Sequence, residues 1–203
     1  MADRSSDFWN FVHRDRRVEW CADHPVKYFT DLFDRVGPFS EDLRGALSVL
    51  DVGPGYAQVL RSLPEHVRKY AVEVSEENRK RLGEHGIAAM EPGVQILTMC
   101  GVHLAWSVSC LPHCEWEMVR TLLHQVAAAL VPGGRFYAES VDQREGFPDC
   151  PEEARLLAGR YWVPVERMVD EARLVGFDIE NVVNVSLGEA CPLTSYLMRL
   201  RKI

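Results

Sequence analysis

No stretch of the 203 residues reaches the run of about 18 apolar side chains that a membrane-spanning helix needs, so no membrane association is expected. The opening Met1-Ala2-Asp3-Arg4-Ser5-Ser6-Asp7 has no apolar core of a secretory signal, which points to the cytoplasm. Positive charge is also scarce: 23 Lys and Arg stand against 30 Asp and Glu, a formal net charge of -7. A nucleic-acid surface needs clustered cations to displace counterions from phosphates, so nucleic acid is not an expected partner. The dense basic run Arg199-Leu200-Arg201-Lys202 alternates like the solvated face of a last strand. Cysteines at positions 21, 100, 110, 114, 150 and 191 lack the short repeated spacing of a disulfide framework, and free thiols are expected. Cys110, His113 and Cys114 lie close together, but C-x-x-H-C has no second half at zinc-finger spacing, so no metal is expected. Internal repeats and low-complexity tracts are missing too.

What the chain does have is a core-sized hydrophobic fraction, 47%, in a length that suits one α/β domain. Residues 48–52 are apolar and β-branched enough for a buried central strand. That strand breaks into Gly53-Pro54-Gly55-Tyr56-Ala57, where two glycines let the backbone turn tightly and approach a ligand. Spacing then separates two kinds of nucleotide cofactor. The dinucleotide fingerprint G-x-G-x-x-G/A wants a small residue three places after its second glycine, and here that place holds Gln58. The pattern D-x-G-x-G-x-A, from Asp51 to Ala57, suits instead a cofactor that brings an amino acid tail and no phosphate. Residues 69–75 read as the next strand. They carry Glu73 about 20 positions after the loop, where a carboxylate accepts both hydroxyls of a ribose; the other reading of Glu73 is a helix N-terminal charge, since Ser75-Glu76-Glu77-Asn78 looks like a helix start.

This stretch resembles the first motif of the class I S-adenosylmethionine-dependent methyltransferases, with Ala57 where many members carry a third glycine. Later residues carry the resemblance further. A strand over 103–109, a loop holding Leu111 and His113, an amphipathic helix over 115–130, then Leu130-Val131-Pro132-Gly133-Gly134-Arg135-Phe136 and a strand over 136–140 match that family's later motifs. The match covers roughly residues 46–140. It implies an α/β doubly wound, mostly parallel seven-stranded sheet of order 3-2-1-4-5-7-6 with its last strand antiparallel. Residues 1–45 would form an N-terminal helical cap, and residues 46–203 the core of the same single domain. It implies S-adenosylmethionine as cofactor, held by Asp51, Gly53, Pro54, Gly55, Tyr56, Glu73, Val74 and Ser107. A small-molecule acceptor would meet Trp9, His13, Trp20, Tyr28 and Tyr161, unless these aromatics pack the cap onto the sheet. His113 stands where several resembling enzymes place a histidine after the fourth strand, either as the base that deprotonates the acceptor or as an ordinary loop residue.

Elsewhere the pattern predicts helices over 7–23, 25–36, 56–63, 76–85 and 164–175 and strands over 87–90, 177–185 and 194–202, with a polar insertion over 142–161. For the adenine ring the family often supplies an acid after the third strand. Here Glu91 is the candidate, unless residues 94–99 are themselves a strand or the contact is made by backbone alone. Three functions compete: a small-molecule methyltransferase, monomeric or homodimeric; a cofactor-binding protein without transfer or with other chemistry in the same pocket; and a nicotinamide oxidoreductase, which Gln58 disfavours.

Overall fold

A computed structural model describes residues 26–93, 101–143, 163–186 and 193–203. The expected helix over 7–23 with Trp9, His13 and Trp20, the alternative strand over 94–99, and most of the insertion, including Tyr161, lie outside those residues.

Val26–Asp34 forms α1 and Phe39–Gly45 α2, followed by β1 (Ser48–Val52), α3 (Gln58–Ser62), β2 (Arg68–Val72), α4 (Glu76–Glu84) and β3 (Ala88–Met90). Then come β4 (Val102–Ser107), a 3-10 turn (Leu111–His113), α5 (Trp116–Ala129), β5 (Leu130–Gln143), α6 (Val165–Leu174), β6 (Phe177–Ser186) and β7 (Leu193–Lys202). The strands make one seven-stranded sheet in the order β3-β2-β1-β4-β5-β7-β6. β1 to β5 pair in parallel, and β7 runs antiparallel between β5 and β6, as the sequence predicts. A parallel sheet is buried on both faces, and all five residues of β1 are accordingly buried.

Two cores result. One face packs Leu50, Val52, Phe136 and Met198 under Leu122, Leu123 and Val126 of α5 and Met168 and Ala172 of α6. The other packs Val49, Leu104, Trp106 and Tyr137 under Phe33 of α1, Phe39 of α2, Leu60 of α3 and Leu82 of α4. Chain order reverses at β1, with β2 on one side and β4 on the other, so a crevice opens at the carboxyl ends of β1 and β4. Open α/β sheets bind ligands at that place.

Three features depart from the sequence reading. The element α2 was not expected after Gly37-Pro38, yet Pro38 O accepts the N–H groups of Glu41 and Asp42 at 3.1 and 3.0 Å and starts a second helix. The turn read over 131–135 lies inside β5 as a bulge. Val102 pairs with Leu130 and Leu104 with Arg135, and the residues between loop out; Gly134 is needed there because a β-carbon would lie 2.9 Å from Val131 O. The basic C-terminal run is a solvated face only in part, with Arg201 exposed and Arg199 covered. Strand β7 is interior to the sheet, and Arg199, 16% exposed, pairs with Asp42 at 3.5 Å and Glu180 at 3.0 Å.

Candidate active site

The loop from β1 into α3 is shaped by residues in left-handed backbone. Gly53 has φ 72°, Gly55 φ 51° and Ala57 φ 53°, a region that costs an L-residue roughly 1–2 kcal/mol. Ala57 is therefore a position where a glycine would relieve strain. Gly53 N–H donates to Val72 O at 2.8 Å and Ala57 N–H to Pro54 O at 2.7 Å, so the loop is a continuation of the β1–β2 ladder closed by a turn. The two glycines do different work. A β-carbon on Gly53 would lie 2.4 Å from Cys110 Sγ, whereas one on Gly55 would meet nothing within 4 Å. Gly53 is backed by the β4 turn, and the Gly55 backbone faces open space.

Two buried carboxyl groups flank this loop. Asp51 pairs across the sheet with Trp106, whose side chain donates a hydrogen bond to it. Burial raises the Asp51 pKa from its ordinary 3.8 to about 8, against the lowering pull of Trp106 and with a further push from the negative charge of Glu73. Glu73 follows β2 directly and accepts Ser75 N–H at 2.8 Å and Asn78 Nδ2 at 2.9 Å. Burial raises its pKa as well, opposed by those hydrogen bonds and by Arg79. Both readings of Glu73 thus have a structural basis: it sits two residues before Ser75, the N-cap of α4, and it lies level with the glycine loop. A carboxylate offers about four lone-pair sites, and the bonds from the Ser75 and Val74 N–H groups and from Asn78 leave part of that capacity open.

Asn78 is the residue that motif spacing misses. Its Nδ2 donates both to Glu73 and, at 2.8 Å, to Gly55 O, and so fixes the loop to the end of β2. In the sequence it shows only as part of a helix start. Arg79 supports the same corner, with Nη1 donating to Glu73 O at 2.7 Å and to Val74 O at 2.8 Å.

A cavity of about 40 Å³ opens beside the loop, walled by Gly53, Pro54, Gln58 and Val59, by Asp51, Trp106 and Val108 at the strand ends, and by Phe29 of α1. It is small beside the roughly 300–1,000 Å³ of ligand pockets. Phe29, Gln58, Val59, Trp106 and Val108 are the wall residues that the sequence did not nominate. Tyr28, which it did, is 48% exposed and lies edge-on against Phe29 at 5.5 Å. Val26, Phe29 and Phe33 form the inward stripe of α1, and Tyr28 sits off it, toward solvent.

The remaining nominated residues are placed as follows. Ser107 is fully buried, and its hydroxyl donates to Val52 O at 3.1 Å, tying β4 to β1. Tyr56 and Val74 are half-buried beside the loop. His113 ends the 3-10 turn after β4, half-buried, outside the wall of the small cavity. Glu91 is exposed after β3 and faces Arg79 at 3.9 Å. Among the described residues no group of three His, Cys, Asp or Glu side chains is placed to hold a metal ion, and no helix is long and apolar enough to cross a membrane.

No protein-family model matches the chain, and no curated protein matches it by sequence. Solved structures do match. The 1,6-didemethyltoxoflavin-N1-methyltransferase of Burkholderia thailandensis, solved with S-adenosylhomocysteine, superposes with a TM-score of 0.64 over 97% of this chain and 86% of its own, at 20% identity. The fold is that of the class I S-adenosylmethionine-dependent methyltransferases. A sarcosine dimethylglycine methyltransferase of Galdieria sulphuraria, so named provisionally, matches at 0.60 over 80% and 81% with 15% identity. The [4+2]-cyclase SpnF matches at 0.58 over 78% and 75% with 19% identity. The methyltransferase fold therefore also carries chemistry other than methyl transfer, and function has to be argued from the site.

Proposed function

We propose that this protein is an S-adenosylmethionine-dependent methyltransferase acting on a small-molecule acceptor. The observation that carries the reading is the pair of buried carboxyl groups, Asp51 and Glu73, on adjacent strand ends either side of a glycine loop whose Gly55 faces open space. That donor set fits the cofactor. Glu73 has acceptor capacity for ribose hydroxyls, the Gly53–Gly55 backbone admits close approach, and Asp51 is a proton-bearing acid that a neighbouring ammonium would return to a carboxylate. No cluster of cations for a pyrophosphate lines the cavity wall.

When bound, the cofactor supplies a sulfonium-activated methyl group, for which alignment and exclusion of water provide much of the acceleration. The chain's own residues do the rest. Trp106 and Asn78 hold the two carboxyls in place, Phe29 closes the cavity from α1, and His113 takes the proton of a hydroxyl or thiol acceptor. Trp9, His13, Trp20, Tyr28 and Tyr161 are proposed to meet that acceptor, and the cytoplasm is the proposed compartment.

Calorimetric titration with S-adenosylhomocysteine and with NADH tests the reading: the first should bind and the second should not. Tight binding of NADH alone overturns it. The likeness to a cyclase supports a second reading, other chemistry in the same pocket. It predicts S-adenosylhomocysteine binding with no acceptor-dependent conversion of S-adenosylmethionine across a panel of small hydroxyl, amine and thiol acceptors.

A further inference from the structure

The turn after β4 places two thiols against the glycine loop. Cys110 and Cys114 stand either side of one 3-10 turn, closed by His113 N–H to Cys110 O at 2.9 Å and Cys114 N–H to Leu111 O at 3.0 Å. The Cys114 thiol lies 3.5 Å from Cys110 O, and the two side chains are within hydrogen-bonding reach of one another. Both thiols are free and half-buried. Cys110 also packs flat on Gly53, where an added β-carbon would lie 2.4 Å from its Sγ and 2.5 Å from its Cβ. One side chain is thus shared between a dithiol and the support of the loop.

We propose that Cys110 and Cys114 form a modification site that closes to a disulfide by exchange with a low-molecular-weight disulfide such as oxidised glutathione, and that closure withdraws Cys110 from Gly53 and loosens the glycine loop. In the first step the Cys114 thiolate attacks one sulfur of the small disulfide, forming a mixed disulfide and expelling one thiolate. The Cys110 thiolate then attacks Cys114 Sγ and expels the second. Two protein thiols lose two electrons and two protons, and both reappear in two molecules of the small thiol, so the exchange needs no other oxidant. Cys114 attacks first because Cys110 is pressed against Gly53, and its ionisation is opposed by Cys114, by burial and by the nearby Glu73 and Asp51. A disulfide brings its sulfurs to about 2.05 Å, so the Cys110 side chain has to swing toward Cys114. The root of the turn is held, since Ser109 N–H donates to Glu139 Oε2 at 2.8 Å. The motion therefore falls on the Cys110 side chain and on the loop it supports.

The full chain is incubated with oxidised glutathione, quenched in acid, alkylated in denaturant and digested. The peptide bearing both cysteines should take up no alkyl group, weigh two hydrogens less than its reduced form, and return to the dialkylated form after dithiothreitol. The C110S and C114S variants should each fail to give the lighter peptide. Persistence of two alkylatable thiols at a time when glutathione has reacted with other cysteines of the chain overturns the site, as does glutathione held on either cysteine without closure. Hydrogen exchange reads the coupling to the loop. The Gly53 and Ala57 amides should exchange about tenfold faster in the oxidised chain, equivalent to about 1.4 kcal/mol of local opening, and the C110S/C114S double variant should be indifferent to the oxidant. Equal exchange in the two forms, with the disulfide shown by mass, overturns the coupling. Neither readout uses the cofactor, so failure here is distinct from failure of the proposed function.

Discussion

Two carboxyl groups buried in one corner repel each other and lose their hydration, so each needs a reason to be there. Glu73 is held by Ser75 N–H and Asn78 Nδ2, which leaves its carboxylate oriented before any ligand arrives. Glu73→Ala should weaken S-adenosylhomocysteine binding by about 2 kcal/mol, because charged hydrogen bonds of about 1.5–3 kcal/mol each are partly replaced by water. Glu73→Gln keeps an acceptor for Ser75 N–H, so it should melt close to wild type and still bind weakly. Unchanged affinity in both variants, measured by calorimetry, would remove Glu73 from the site. His113 tests mechanism in a different currency. His113→Asn should lower turnover of a hydroxyl acceptor about 100-fold or more while leaving cofactor affinity within about twofold, since base catalysis contributes roughly 10² to 10⁴-fold. A near wild-type rate with such an acceptor makes His113 a loop residue and leaves the reaction to alignment.

Among the elements, α2 packs on α1 and on the sheet and was the hardest to read. Phe39 packs edge-on to Trp106 at 5.7 Å and to Tyr137 at 5.0 Å. Asp42 accepts Tyr137 Oη at 2.6 Å and faces Arg135 at 3.2 Å and Arg199 at 3.5 Å. Asp42→Ala strands a buried phenol and leaves Arg135 and Arg199 with Glu180 as their remaining carboxylate, and should cost about 1–3 kcal/mol in urea unfolding. Asp42→Asn keeps an acceptor for Tyr137 and should cost less than half of that. Equal losses for the two variants would mean that the phenol bond is not what matters. The strands, by contrast, were legible because β1, β4 and β5 are buried on both faces and read as apolar runs, and α5 and α6 because they are long enough to show a period. Helix α2 has too few turns for periodicity, and its contacts are with residues about 95 positions away, which no local pattern encodes. The same limit explains the site. Gly53, Gly55, Asp51 and Glu73 announce themselves by spacing, whereas Asn78, Phe29 and Gln58 reach the loop only through packing. In the Arg199–Lys202 run, alternation finds the polar face of β7, but the cover that Asp42 and Glu180 give to Arg199 comes only from packing.

For the molecule as a whole, the buried acids link stability to pH and to ligand. The Asp51 carboxyl has an ordinary pKa of 3.8 and one of about 8 in the folded chain, so across that interval the folded state holds a proton that the unfolded state releases. Stability from this group is complete below the lower value and is lost as pH rises through the upper one. Glu73, also raised by burial, acts in the same direction. The stability of the ligand-free chain, followed by its melting temperature, should therefore fall between about pH 6 and pH 8 more steeply than that of Asp51→Asn, by on the order of 1 kcal/mol per pH unit. A ligand that places an ammonium beside Asp51 favours the carboxylate and lowers its pKa. S-adenosylhomocysteine should then release a proton on binding near neutral pH, bind more tightly as pH rises toward 8, and raise the melting temperature more at pH 8 than at pH 6. Calorimetry in buffers of different ionisation enthalpy counts that proton directly, and Asp51→Asn should abolish its release. Parallel melting curves for wild type and Asp51→Asn, with no proton released by either, would place Asp51 in the ordinary carboxylate range and leave the glycine loop and Glu73 to hold the cofactor without it.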